Sequence, residues 1–379
     1  MTLPMSEAVG YVLHERRFRA GRLNVGYQSC DDAIAQTGVS DGPKCRLNAR
    51  MYAENPAVIG VIGPYASNCS WLMLPVLNRA PGGPLALVSP SNADPRLVRA
   101  EPGDVLAELY PTGQRGYARV HPSGDSEMAA SAILAHRLGH GSVYFLEDEE
   151  VATLEPKWPW FRRAADRIGL RIAGRATWSA DAPGLRALAE RVRASGAGAV
   201  YLNSSGPESD VGPLLRRLRA ALGRDVAIIG GPALLPASDL FAAAGPAARG
   251  VFLTVPGLST ASLGSRGRRF VRGFAATQPG GRVTHLDVYA AAATEVLLDA
   301  IARSDGTRAS VTRALAGTRL ADSVVGPLAL DAHGEPLAQP ITVVRVDHRH
   351  GRGRDDLDGT VPVELITPPA WRAGAPRTP

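Results

Sequence analysis

Residues Val58–Ser70 read VIGVIGPYASNCS, and residues Leu85–Ala93 read LALVSPSNA. Each opens on a short Val/Ile/Leu-rich run, the mark of a strand buried on both faces of a parallel sheet. The first run then gives way to Gly63, Pro64, Tyr65, Ala66, Ser67, Asn68, Cys69 and Ser70, the second to Ser89, Pro90, Ser91, Asn92 and Ala93. The pattern recurs where Ala199–Leu202 is followed by Asn203, Ser204, Ser205 and Gly206. In parallel α/β sheets ligands bind beyond the carboxyl ends of strands. Ser and Asn there, beside free N–H groups at helix starts, suit a carboxylate or another small anion. Helix N-capping uses the same residues, but three such clusters together point to a ligand cleft.

Working outward, Leu23–Tyr27, Val143–Leu146, Leu170–Ala173, Val226–Ile229, Val251–Leu253 and Ile341–Val346 also read as strands. Helical patterns separate them. Val211, Leu214, Leu215 and Leu218 form one apolar stripe; Leu286, Tyr289, Ala290, Ala293, Leu297, Ala300 and Ile301 form a longer one. Alternation of this kind predicts βαβ units and parallel sheets flanked by helices. About nine strands exceed one doubly wound domain, so two are expected. Aperiodic stretches at Arg119–Gly124, Thr254–Ser259 and near Asp322–Pro327 are the candidate crossovers. From about Pro368 the chain is rich in Pro, Ala and Arg and reads as a disordered tail.

The 379 residues are 45% hydrophobic and 21% charged, which excludes disordered and fibrous classes. No apolar run is long enough for a membrane span. The net charge of +6 is carried almost wholly by arginine, with Lys44 and Lys157 the lysines. These arginines are scattered among 36 acids, so no nucleic-acid patch is expected. Met1–Phe18 carries Glu7, His14, Glu15, Arg16 and Arg17 and shows no secretory h-region.

Enzyme fingerprints are missing: there is no dinucleotide G-x-G-x-x-G after a strand, no P-loop and no G-x-S-x-G elbow. His136 and His140 have the i, i+4 spacing of metal ligands, but Gly139 and Gly141 mark a helix end, where His is a common capping cation. Asp347, His348 and His350 read as surface residues, and the acidic run Glu147–Glu150 reads as a solvated loop. No metal, cofactor or catalytic residue is expected.

The segments GYQSCDDA (Gly26–Ala33), VIGVIGPYASNC (Val58–Cys69) and LNRAPGGPLALVSPSNADPRL (Leu77–Leu97) resemble the type I periplasmic-binding fold. More narrowly they are similar to the branched-chain amino-acid (leucine/isoleucine/valine) substrate-binding proteins of ABC importers. YARVHPSGDSEMAASAI, GAGAVYLNSSG, FAAAGPAARGVF, HLDVYAAAATEVLLDAIARSDGTR and VVGPLALDAHGEP extend the likeness over roughly residues 5–346. The resemblance implies an α/β, two-lobed fold, each lobe a parallel sheet flanked by helices. Lobe one would be residues 1–118 with 254–323, and lobe two 119–253 with 324–367, leaving 368–379 as the tail. Family members open with a strand in the middle of the first lobe's sheet. This sequence starts at the helix that follows it, Pro4–Arg17, so that strand is expected to be missing, through a misplaced start or a longer parent chain.

The resemblance also implies a function. The protein would be a non-catalytic, monomeric, extracytoplasmic solute-binding protein that clamps a small amino-acid, amide or carboxylate ligand between its lobes. Its partners would be an ABC permease and ATPase. A ligand-sensing domain of a larger receptor, and an α/β enzyme with an unrecognised nucleophile, are the alternatives. By family match Ser67 binds the ligand carboxylate, with Ser91, Asn92 and Ala93 beside it; the family usually has threonine where Ala93 stands. In the second lobe Asp148 matches the aspartate of a "D-x-x-Y-G" pattern, although Val151 stands in place of the tyrosine. Ser204 and Ser205 follow the next strand end. The carboxylate that pairs with an amino-acid ammonium falls near Ala233, where there is no acid, so a ligand without an ammonium fits at least as well.

Three cysteines remain. Cys30 ends a strand and Cys45 opens the next helix, and a Cys30–Cys45 bridge would close a loop of about 15 residues, worth roughly 3 kcal/mol. It is the expected pair. The leucine-binding relatives imply Cys30–Cys69 instead, and three free thiols are the third possibility.

Overall fold

Thr284 and Asp287 start the helix on which the first part of the chain is built. The Thr284 side chain accepts from the Asp287 N–H, and the Asp287 carboxylate accepts from the Thr284 N–H, a reciprocal capping box. The helix that follows, His285–Ala302, is Ala-rich and buried over most of its length. In the computed structural model the described residues are 3–35, 38–99, 106–180, 184–204, 211–347, 355 and 357–369. They form, in chain order, α1 (Leu3–Glu15), β1 (Arg19–Ala20), β2 (Leu23–Asn24), α2 (Gly42–Glu54), β3 (Gly60–Ile62), α3 (Ser67–Asn78), β4 (Ala86–Ser89), α4 (Leu106–Leu109) and β5 (Tyr117–Arg119). Then come α5 (Gly124–Arg137), β6 (Ser142–Asp148), α6 (Glu149–Leu154), α7 (Trp158–Ile168), β7 (Arg171–Trp178), α8 (Leu185–Ala194), β8 (Ala199–Asn203), α9 (Val211–Leu222), β9 (Ala227–Gly230), α10 (Ala237–Ala244) and β10 (Phe252–Pro256). The chain closes with α11 (Ser265–Ala275), α12 (His285–Ala302), α13 (Arg308–Leu315), β11 (Arg319–Ser323), β12 (Gly326–Ala329), β13 (Ile341–Val346) and β14 (Thr360–Ile366).

The chain divides into two units, residues 1–123 with 258–338, and residues 124–257 with 339–379. In the first, β3, β4 and β5 form a parallel sheet in that order. Met5, Val9 and Val12 of α1 share a core with Tyr289, Val296 and Ile301 of α12. Gly60 in β3 is needed for this packing, because a Cβ there would come 2.7 Å from a Leu297 methyl. In the second unit the sheet runs β14-β13-β10-β9-β8-β6-β7. Its pairs from β10 to β7 are parallel, whereas β13 is antiparallel to β10, and β14 to β13. Leu146, Leu202 and Ile228 pack on one face, Phe145, Tyr201 and Ile229 on the other.

The α/β class and most strand centres agree with the sequence. The differences have physical causes. The expected strand Leu23–Tyr27 pairs only at Leu23–Asn24, in a hairpin with β1, and no strand lies beside Val25–Tyr27 among the described residues. β5 and β14 escaped notice because Tyr117–Arg119 is short and polar-ended, and Thr360–Ile366 is half exposed. The crossover expected near Asp322–Pro327 lies instead at residues 338–339. Val324, Leu328 and Leu330 of the β11–β12 region are core residues with α12, which ties them to the first unit rather than to the second lobe. Glu147–Glu150 is no solvated loop: Glu147 and Asp148 end β6 and are buried. Residues 370–379 of the expected tail, with His348 and His350, lie outside the described residues.

The disulfide also differs. Cys45 joins Cys69, with Cα atoms 5.5 Å apart, and Cys30 is free. Both bridged residues are buried where α2 packs on α3. Cys30 sits outside that helix pair, so proximity in sequence to Cys45 misled. Non-reducing peptide mapping should recover a Cys45–Cys69 crosslink with Cys30 alkylated. A bridge closing 24 residues should contribute about 3 kcal/mol by chain entropy, so reduction should lower the thermal midpoint.

Candidate functional site

In the first unit the loops after β3 and β4 are locked together from below. Ser89, fully buried, donates its hydroxyl to Pro64 O and accepts from the Ser91 and Asn92 N–H groups. Asn92 is also fully buried. Its amide nitrogen donates to Pro64 O and Tyr65 O, and its oxygen accepts from Ser70 Oγ at 2.5 Å and Tyr117 Oη at 3.1 Å. That uses the full capacity of a side-chain amide, so Asn92 braces the loops and has nothing left for a ligand. Ser91 Oγ donates to Tyr65 O at 2.8 Å.

Ser67 opens α3. Its hydroxyl oxygen accepts from the N–H groups of Ala93 and Asp94, both at 3.2 Å. The hydroxyl proton is left to be donated; Ser67 is joined to Ala93, and Ser91 to the neighbouring loop at Tyr65, with Asn92 beneath them. Asp94 holds the far side. Burial alone would raise its carboxyl, but hydrogen bonds from Arg96 and Trp71 outweigh this and hold it below the usual carboxylate range.

A buried ion pair supports this arrangement. Arg119, with no exposed side-chain surface, donates to both Glu335 oxygens, one at 2.8 Å, and to the carbonyls of Asn92 and Asp94 at 3.2 and 2.8 Å. The pairing of Arg119 with a residue 216 positions away could not be seen in sequence.

In the second unit, Asp148 is the last residue of β6, and Ser204 and Ala233 follow the ends of β8 and β9, with β8 between β6 and β9 in the sheet. The Asp148 carboxylate caps α6 by accepting from the Glu150 N–H. Ser204 is buried, and its N–H donates to Asn203 Oδ1. The Asn203 side-chain nitrogen is buried with no partner among the described residues. Ala233 is half-buried in a short 3₁₀ turn. Ser205 lies outside the described residues.

The sequence reading missed one acid near Ala233. Glu127, in the first turn of α5, lies against Gly231, where a Cβ would meet Glu127 Oε1 at 2.8 Å and so displace it. Burial pushes the Glu127 carboxyl up to about 7, opposed by the Lys157 charge. Burial likewise raises Glu147, against the Lys157 N–H bond and the Arg175 charge. Glu127 comes from a helix start rather than from the β9 loop, so only the tertiary fold brings it there. Among the described residues no group of three His, Cys, Asp or Glu could hold a metal ion. His136 lies in the last turn of α5.

Polar loops follow the carboxyl ends of parallel strands in both units of this α/β chain. The chain belongs to the periplasmic binding protein family, whose model matches residues 97–353. Solved structures share the fold. A leucine-binding protein from Thermotoga maritima is 20% identical with a TM-score of 0.72, over 96% of this chain and 93% of that one. A solute-binding protein of an ABC transporter from R. palustris, in complex with 4-hydroxybenzoate, is 14% identical with a TM-score of 0.74, over 97% and 93%. A branched-chain amino-acid transporter substrate-binding protein from Streptococcus pneumoniae, in complex with isoleucine, is 14% identical with a TM-score of 0.69, over 96% and 94%. No curated protein matches the chain.

Two stability measurements test these assignments. Arg119→Met removes the guanidinium that meets Glu335 at 2.8 Å and leaves the half-exposed Arg99 at 3.5 Å beside it, so it should destabilise the chain in urea unfolding by up to about 3 kcal/mol, while Arg119→Met/Glu335→Leu should lose less. For Glu127, the carboxyl of the folded chain is raised to about 7, while the unfolded chain releases its proton near the ordinary carboxyl value of about 4.5. The native state therefore holds the extra proton, and stability falls as pH rises through this window. Thermal midpoints measured across that range should fall less steeply in Glu127→Gln; an unchanged slope would remove the assignment.

Proposed function

We infer that this protein is the solute-binding component of an ABC importer and that it takes a small carboxylate at the loops after β3 and β4. It acts outside the cytoplasm as a monomer, catalyses no reaction, and delivers its ligand to a permease and ATPase encoded elsewhere. The observation that carries the reading is Ser67. Two backbone amides hold its oxygen at the start of α3, and its remaining proton suits an anionic oxygen at a helix N-terminus. Ser91, Ala93, Asp148, Ser204, Ser205 and Ala233 are the further contacts in this reading. Family membership supports a binding role over the sensing-domain and enzyme alternatives. No described helix is long and apolar enough to cross a membrane.

The ligand class turns on the second unit. Solved relatives hold both amino acids and benzoates. Ala233 supplies no charge for an ammonium, which favours a ligand with a carboxylate and no amine. Glu127 favours the second reading, an amine-bearing ligand, because its carboxyl lies beside Gly231.

Titration calorimetry with leucine, isoleucine, benzoate, 4-hydroxybenzoate and simple amides separates the two. The first reading expects the benzoates to bind and Ser67→Ala to weaken them by about 1–3 kcal/mol, the cost of one lost hydrogen bond to a buried charge. Unchanged affinity in that variant would sink the role of Ser67. Tight leucine binding that is lost in Glu127→Gln would establish the second reading.

A further inference from the structure

Beyond the carboxyl end of α1 the chain turns back through two residues in the left-handed region. Arg17 and Phe18 both have a φ of 52°, and among the described residues no other non-glycine residue has a positive φ. A side chain there crowds the following carbonyl oxygen, which is why glycine is the usual occupant. The turn is nevertheless fixed. The Arg16 N–H donates to Val12 O, Arg17 to His14 O, Phe18 to Leu13 O and Arg19 to Arg16 O, while Phe18 O accepts from the Val25 N–H. The β1–β2 hairpin follows at once, with Gly21 and Arg22 as its two-residue loop.

The turn presents one aromatic ring among guanidinium groups. Arg16, Arg17, Phe18, Arg19 and Arg22 are all exposed. Phe18 is 40% exposed and takes no part in the core of the first unit. Arg19 reaches only Arg22 O, at 3.5 Å, and Arg16 stands 3.8 Å from Glu295. Glu295, Asp299 and Asp322 line the same hollow as Arg16 and Arg19. Of these acids Glu295 is engaged by Arg266, and Asp299 by Arg303 at 2.7 Å. Asp322 and the neighbouring Glu15 are left to offset four arginines. The strained conformation of Phe18 therefore secures no contact for its ring within the core.

Strain that stabilises nothing inside the fold points to a partner outside it. The guanidinium groups ask for anions, and the ring asks for an apolar layer beside them. Residues 16–22 are far fewer than the roughly 20–30 a side of a stable protein–protein interface, which argues against a folded protein. A lipid surface needs no matching shape. Its phosphates move to meet guanidinium groups held by a rigid turn, and a single aromatic ring enters at headgroup level. The net charge of +6 draws the whole chain the same way. We propose that residues 16–22 dock the first unit on an anionic lipid surface, with Phe18 entering the headgroup layer while Arg17, Arg19 and Arg22 bond lipid phosphates. The proposal is independent of the ligand reading.

Flotation of the 379-residue chain with phosphatidylcholine vesicles, with and without phosphatidylglycerol, tests it. Binding should require phosphatidylglycerol and weaken as salt is raised. Arg17→Gln and Arg22→Gln should each weaken it about fivefold. Phe18→Gly should weaken it by at least about fivefold, yet hold or raise the thermal midpoint of the free chain, because glycine relieves the left-handed strain. A lowered midpoint in that variant would show that Phe18 serves the fold and would overturn the proposal. Equal binding to the two kinds of vesicle, or unchanged binding in Phe18→Gly, would overturn it as well. Binding to polyglutamate but to neither vesicle would replace the lipid with an acidic protein as the partner.

Discussion

The first unit depends on the guanidinium of Arg119. It is fully buried, and a charge there is tolerable only because Glu335 and two loop carbonyls surround it. The same contacts fix the loop after β4, since Arg119 holds the carbonyls of Asn92 and Asp94 while Ser67 holds the N–H groups of Ala93 and Asp94. A floppy polar loop would lose orientation entropy each time it met a ligand. This one is set in advance by bonds that reach from β5 and from the segment after β12. The Ser67 hydroxyl lies at the edge of a large buried network.

The second unit handles its buried acids differently. Asp148 finds a helix start and Glu147 finds the Lys157 N–H, but Glu127 is accommodated by the missing side chain of Gly231. A carboxyl in such a place is held by space more than by partners, and its proton affinity rises accordingly.

Much of this was legible in the residues. Continuous runs such as Leu85–Val88 gave strand centres, and Ser67, Ser91 and Ala93 were legible as loop residues because each follows a strand end in a parallel sheet. What was not legible depended on distant partners. Asn92 resembles a ligand-facing amide in sequence, and only the positions of Ser70, Tyr117, Pro64 and Tyr65 show that its bonds are spent internally. Glu127 and Glu335 carry no local signal at all. The cysteine pairing failed for the same reason: the spacing of Cys30 and Cys45 says nothing about which face of α2 meets α3.

Cys69 lies two residues beyond Ser67, within the same first turn of α3. The bridge to Cys45 therefore does more than restrict the unfolded chain. It ties the turn that carries the Ser67 hydroxyl to the neighbouring helix by a covalent bond, which persists only under oxidising conditions. The positional precision of Ser67 becomes linked to the thiol–disulfide balance of its surroundings, and the same polypeptide would hold that hydroxyl less firmly wherever reductant is abundant.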